Sequence, residues 1–141
     1  MYERILAPID GSPQSLKALR HAVELAKEHG SEIMVISVVD SLKLPFGAEY
    51  SLWANESHQK LIRTTLESVN KEITKITQQE PELRIDATVI EGDPAKQILR
   101  VAEDYDVIVM GKHGMSLLEE LVMGSVTNKV VNHSKIPVIV V

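Results

Sequence analysis

The residues of this 141-residue chain best placed to do chemistry are neither nucleophiles nor metal ligands but a spaced set of glycines. Gly111 and Gly114 follow the apolar run Val107 to Met110 with two residues between them, and nine residues later comes Gly124-Ser125. Gly111 lets a strand turn sharply, and Gly114 lets backbone N–H groups approach an anion with no side chain in the way. Gly124 and Ser125 would stand at the mouth of a final helix, where free N–H groups and the positive end of the helix dipole favour phosphate. Any one of these glycines could merely shape a turn; it is the spaced set behind a strand that points to phosphate. Neither the dinucleotide pattern G-x-G-x-x-G nor the Walker pattern G-x-x-x-x-G-K-[ST] occurs in the chain, so another way of holding phosphate is expected.

Other chemistries have less support. The chain has no cysteine, hence no disulfide or thiolate site. Its histidines are scattered at 21, 29, 58, 113 and 133, without H-E-x-x-H or any paired spacing, so no protein metal site is expected. His21, His29, His58 and His133 read as helix-surface or helix-end residues. His113 lies inside the glycine loop, where it either contacts phosphate or shapes the loop. Serine, histidine and acid are present without a G-x-S-x-G elbow, which leaves a hydrolase triad unsupported.

The elements that must carry these residues alternate along the chain. Ile5 to Ile9 is a short apolar run that stops at Asp10-Gly11-Ser12-Pro13, a first strand and its turn. Ser12 suits an N-cap and Pro13 the first helical position, opening a helix to about His29 with Leu16, Leu19, Val23 and Ala26 on one face and Gly30 as its stop. Glu32 to Val39, dense in Ile and Val, reads as a strand buried on both faces. Residues 41 to 55, with Pro45, Gly47, Phe46, Tyr50 and Trp53, read as a long loop. It is either a surface excursion whose aromatics cover the sheet or a flap over a ligand.

A second helix is expected from Glu56 to Gln78, a third strand from Arg84 to Ile90, and a third helix from Asp93-Pro94 to about Glu103. A fourth strand from Asp106 to Met110, a last helix around Val122 to His133 and a fifth strand from Ile136 to Val141 close the chain. Five strands joined by helical crossovers imply an α/β fold: one open five-stranded parallel sheet with helices on both faces, spanning 1–141 as a single domain. In such sheets ligands sit outside the carboxyl ends of the strands, where the winding reverses. Asp10, Asp40, Gly92-Asp93 and Gly111 to Gly114 are the strand-ending segments to inspect.

Composition narrows the partners. At 141 residues, against about 100 to 200 expected per domain, one compact domain is expected. With 44% hydrophobic and 25% charged residues the chain is neither disordered nor fibrous. A formal charge of -5 and no dense Lys/Arg run argue against nucleic acid. The longest apolar runs fall far short of the roughly 20 residues a membrane span needs, and the N-terminus reads as a strand rather than a signal peptide, so a cytoplasmic protein is expected. The apolar fifth strand, Ile136 to Val141, has no polar gatekeeper; at a sheet edge it would invite pairing with its own copy.

These features together resemble the universal stress protein family over the whole chain. The resemblance rests on the strand-ending Asp10, the Val38-Val39-Asp40 end of the second strand, the Gly111-x2-Gly114-x9-Gly124-Ser125 motif and the terminal Pro137-Val138-Ile139-Val140-Val141. The retained glycine motif resembles that of the family's ATP-binding branch. The resemblance implies strand order 3-2-1-4-5, a dimer through the last strand, and a role as a nucleotide-dependent module in stress response. Carried over residue by residue, it implies that Pro8, Asp10 and Val38 serve adenine and ribose. Met110, Gly111, Lys112, His113, Gly114, Met115 and Ser116, with Gly124, Ser125, Val126 and Thr127, match the phosphate-cradling segments.

The residue types suit those roles. A carboxylate accepts ribose hydroxyls, Val38 offers an apolar face, and Ser125 and Thr127 can donate to phosphate oxygens. Asp10 also suits a plain turn or helix start. One departure stands out: residues 115 to 123, MSLLEELVM, lack the basic residue often found there in the family, and carry Glu119 and Glu120. Lys112 and backbone amides must then supply most of the attraction, helped by a Mg or Mn ion bridging the phosphates. The rival readings are a slow ATPase or adenylating enzyme, a flavodoxin-like electron carrier, and a dimeric scaffold that works without nucleotide. Phosphoryl transfer would want more positive charge than the loop supplies, and a flavin would want sandwiching aromatics.

Overall fold

The computed structural model describes residues 1–40, 51–113 and 123–141. In chain order the elements are β1 (Arg4–Pro8), α1 (Pro13–His29), β2 (Glu32–Val39), α2 (Ser51–Gln79), β3 (Arg84–Glu91), α3 (Pro94–Ala102), β4 (Val107–Met110), α4 (Ser125–His133) and β5 (Val138–Val140). The five strands form one sheet in the order β3-β2-β1-β4-β5, and every neighbouring pair is parallel. Winding proceeds outward from β1 through β2 to β3 and, in the other direction, from β4 to β5. The reversal falls between β1 and β4, which pair Ile5 with Val107 and Leu6 with Ile108.

Period-two alternation sends successive strand residues to opposite faces and so builds two cores. Ile5 and Ala7 of β1, Ile33 and Val35 of β2, and Val107 and Val109 of β4 pack with Ala18, Leu19, Ala22 and Ala26 of α1 and Val69 of α2. Leu6, Ile36, Ile108 and Met110 point the other way, onto Ala95, Ile98 and Ala102 of α3 and Val130 of α4. Ile5, Leu6, Ile36 and Ile108 are fully excluded from solvent. Burying each such side chain is worth about 1.5 to 3 kcal/mol, which is why the central strands are nearly continuous runs of Ile, Leu and Val.

The helix ends follow the local chemistry. The Ser12 hydroxyl accepts from Ser15 N–H at 3.2 Å and Asp93 accepts from Lys96 N–H at 3.0 Å, each with proline at the first helical position. Gly30 ends α1 at φ 67°, in the left-handed region where a Cβ is disfavoured. Near the same end, Lys27 Nζ meets Glu80 at 2.7 Å and Glu24 at 3.4 Å, and these carboxylates hold its ammonium above the ordinary lysine range.

Several expectations need correction. α2 starts at Ser51 rather than Glu56, so Trp53 belongs to a helical backbone and the loop after β2 is shorter than 41 to 55; Phe46 and Tyr50 lie outside the described residues. The described part of α4 begins at Ser125, with Val122 outside the described residues. β5 is confined to Val138–Val140 because Pro137 has no N–H to pair, although its carbonyl still accepts from Ile108 N–H at 3.0 Å. His58 is not a surface residue: it is 7% exposed, with Nε2 against the Glu91 carboxylate at the end of β3. His133 does lie exposed at a helix end, its Nδ1 at 2.9 Å from the Lys129 carbonyl.

Candidate functional site

A cavity of about 350 Å³ opens at the carboxyl ends of β1, β2 and β4, on the α3/α4 side of the sheet. β1 brings Pro8 to its wall and the turn that follows brings Asp10. Asp10 is at once a turn residue and a lining residue: its Oδ1 accepts from Ser12 N–H at 2.9 Å while the side chain borders the opening. β2 contributes Val38, β4 contributes Met110, and the loop after β4 contributes Gly111. Gly124, Ser125, Val126 and Thr127 line the opposite wall, and His113 stands beside them. Residues far apart in the chain thus meet because β1 and β4 are neighbours.

Gly111 is required here for a reason other than the sharp turn expected of it. A Cβ at this position would lie 3.0 Å from the Gln14 carbonyl carbon and oxygen and 3.1 Å from Ser15 N, so the first turn of α1 presses directly on the glycine backbone. Its carbonyl is held by a buried hydrogen bond from Thr127 Oγ1 at 2.8 Å. The Thr127 hydroxyl proton, expected to be available to phosphate, clamps the loop after β4 to α4, while the residue itself lines the cavity. Gly124 N–H donates to the Lys112 carbonyl at 2.8 Å, and Lys112 N–H to the Val141 carbonyl at 2.8 Å, so the two glycine segments are tied together. Lys112 does not line the cavity among the described residues, and Gly114, Met115 and Ser116 lie outside them.

Among the described residues the α4 start has no side-chain cap: Gly124 occupies the N-cap at φ -59° and ψ 154°, and there is no acidic residue in the first turn. The exposed Ser125 side chain and the first amides of α4 therefore face the cavity with the positive end of the helix dipole. His113 adds a second polar group to the lining, and among the described residues neither Nδ1 nor Nε2 has a hydrogen-bond partner. The opposite end is apolar and acidic, with Ile36 and Val38 below and Asp10 and Asp40 at the rim.

Asp40, one of the strand-ending positions to inspect, lines the cavity, as do Ile36, Ile9, Ser15, Pro94 and Ile98, which were not expected there. Period-two reading back from Val38 would have found Ile36, which shares its side of β2. Pro94 and Ile98 are four apart on α3 and follow as a pair once that helix is placed over this face. Among the described residues no group of three His, Cys, Asp or Glu side chains comes together to hold a metal. None of the described helices is long and apolar enough to cross a membrane.

The profile of the universal stress protein family matches residues 1–141. The chain belongs to that family. It is 35% identical over its full length to the universal stress protein MJ0531 of Methanocaldococcus jannaschii, covering 82% of that protein. The solved structure of MJ0577 from the same organism superposes with a TM-score of 0.83 at 32% identity, covering 100% of this chain and 96% of that one. The universal stress protein of Archaeoglobus fulgidus solved in complex with dAMP shares the fold at a TM-score of 0.59 and 21% identity, over 99% of this chain and 97% of its own. Among universal stress proteins the five-stranded parallel sheet seen here, with its reversal between β1 and β4, is thus the shared architecture.

Proposed function

We propose that this universal stress protein binds ATP in the cavity between β1 and β4 and acts as a nucleotide-dependent dimeric module in stress response. The observation that carries the reading is the convergence on one cavity of a helix start with no side-chain cap, an imidazole with no partner among the described residues, and an apolar wall with a rim carboxylate. The apolar part, Ile36, Val38 and Met110, has the character an adenine ring needs, and Asp10 can accept ribose hydroxyls. The Ser125 hydroxyl and the first amides of α4 would donate to phosphate oxygens, with Gly124 leaving room for them. That a related universal stress protein has been solved with dAMP supports an adenine nucleotide as the ligand class. A Mg or Mn ion would enter bound through the phosphates, and turnover would be slow because the described lining carries no Lys or Arg and its carboxylates are Asp10 and Asp40.

The deciding experiment is mass spectrometry of the small molecule that co-purifies with the protein, followed by calorimetry with ATP. An adenine nucleotide, recovered and rebound, supports the reading. A flavin in its place, or an empty cavity that gives no heat with ATP, overturns it. The dimer is expected through β5, the edge strand beside β4, whose Val138, Ile139 and Val140 are only half-buried within one chain. Antiparallel pairing of two such edges would close the sheet without propagating. Ile139→Pro removes a ladder donor and should shift the protein toward monomer in light scattering; a wild type that is already monomeric refutes this interface.

A further inference from the structure

We propose that a second cavity, on the opposite face of the sheet from the first, binds a small aliphatic amine as its ammonium ion. This cavity measures about 330 Å³ and lies on the α1/α2 side, between Leu16 of α1, Val69 of α2 and the carboxyl ends of β1 and β2. Ile9 and Asp10 border both cavities, so the end of β1 is the wall between them. The residue that carries the inference is Ser37. Period two places it on the face of Ile33 and Val35, where β2 otherwise carries apolar side chains. Ser37 is 6% exposed and lines the cavity, and its hydroxyl makes no hydrogen bond among the described residues. A hydroxyl buried without a partner is costly, and a ligand that meets it relieves that cost.

The rest of the lining selects the class of ligand, because it is made of acceptors. Thr64 and Thr65 spend their hydroxyl protons on the Lys60 and Leu61 carbonyls of their own helix, at 2.8 and 2.7 Å, which leaves oxygen lone pairs for a ligand. Glu72 brings a carboxylate whose Oε1 lies 3.2 Å from Lys75 Nζ, and Asp10 brings a second carboxylate. No Lys, Arg or His stands in the described lining. An ammonium has three donors, no lone pair and a positive charge, so it fits such a set, whereas an anion would find acceptors facing acceptors. Ile9, Leu16 and Val69 give methylene groups an apolar surface, as they would the stem of a lysine. A neutral polyol would meet the same acceptors without balancing the carboxylates.

The test is titration calorimetry of the full, nucleotide-free chain with 1,4-diaminobutane at about 0.15 M salt, where exposed charges are largely screened. The uncharged 1,4-butanediol, of equal length, is the comparison. The diamine should bind saturably, one to one, and raise the melting temperature, and the diol should do neither. Glu72→Gln and Ser37→Val should each weaken the diamine by about tenfold, as the loss of a hydrogen bond to a charged group does. Valine suits a strand, so Ser37→Val should fold as the wild type does, and Ser37→Ala serves the same comparison where it does not. Unsaturable binding, or equal affinity in the wild type and the variants, means adventitious surface association and overturns the proposal. A diol that binds as tightly as the diamine overturns the ammonium assignment, and a diamine that gives neither heat nor a melting shift overturns the site. The inference stands apart from the nucleotide reading: Glu72→Gln should bind magnesium ATP as the wild type does, so either can fail without the other.

Discussion

Two of the helices that start along the carboxyl edge of the sheet close their own ends, and one does not. At α1 the Ser12 hydroxyl caps Ser15 N–H, and at α3 the Asp93 carboxylate caps Lys96 N–H, each followed by a proline with no donor to satisfy. At α4 the cap position is Gly124, and its lack of a side chain leaves the amides that follow without that local acceptor. A helix that spends its first donors on its own cap is finished structure, whereas one that keeps them open can receive an anion. In this fold the helix without a side-chain cap is the one that shares its cavity with His113.

The contrast can be broken at three places. The largest effect is expected from Gly111→Ala, because the new Cβ would press on the Gln14 backbone at 3.0 Å and push α1 from the glycine loop. A loss of about 2 kcal/mol, typical of overpacking, should appear in urea unfolding. A variant as stable as the wild type would show that α1 can yield. Next comes Ser125→Asp, which puts an acid in the first turn of α4, where none now stands. It should stabilise the helix by about 0.3 to 1 kcal/mol while weakening ATP binding about tenfold, or about 1.4 kcal/mol. Opposite signs in melting temperature and calorimetric affinity are the outcome that sharpens the comparison; equal affinity would remove phosphate from the α4 start. The smallest effect belongs to Asp93→Ala, which deletes a cap that serves only its own helix. It should cost about 1 kcal/mol of stability and leave ATP affinity unchanged. A matching loss of affinity would mean that the capped and open ends are not separate in function.

What the sequence determined by itself was whatever depends on near neighbours. The order of strands and helices, the Ser12-Pro13 and Asp93-Pro94 starts and the Gly30 stop were all legible, since caps and periodicities are set by residues three or four positions apart. The spaced glycines likewise marked where the chain leaves β4 and where α4 begins. The tertiary structure alone decided what those residues touch. Nothing local to Gly111 reveals that Gln14 lies against it, and nothing local to Thr127 reveals that its hydroxyl belongs to Gly111. His58 looks like a surface residue of a polar helix until β3 places Glu91 beside it. Asp40, Pro94 and Ile98 join Asp10 and Gly111 around one cavity only because parallel strands in the order β3-β2-β1-β4-β5 bring their carboxyl ends together. Local hydrogen bonds and side-chain periods are written within a few residues of sequence, but the walls of a site are built from segments whose separation along the chain says nothing of their distance in space.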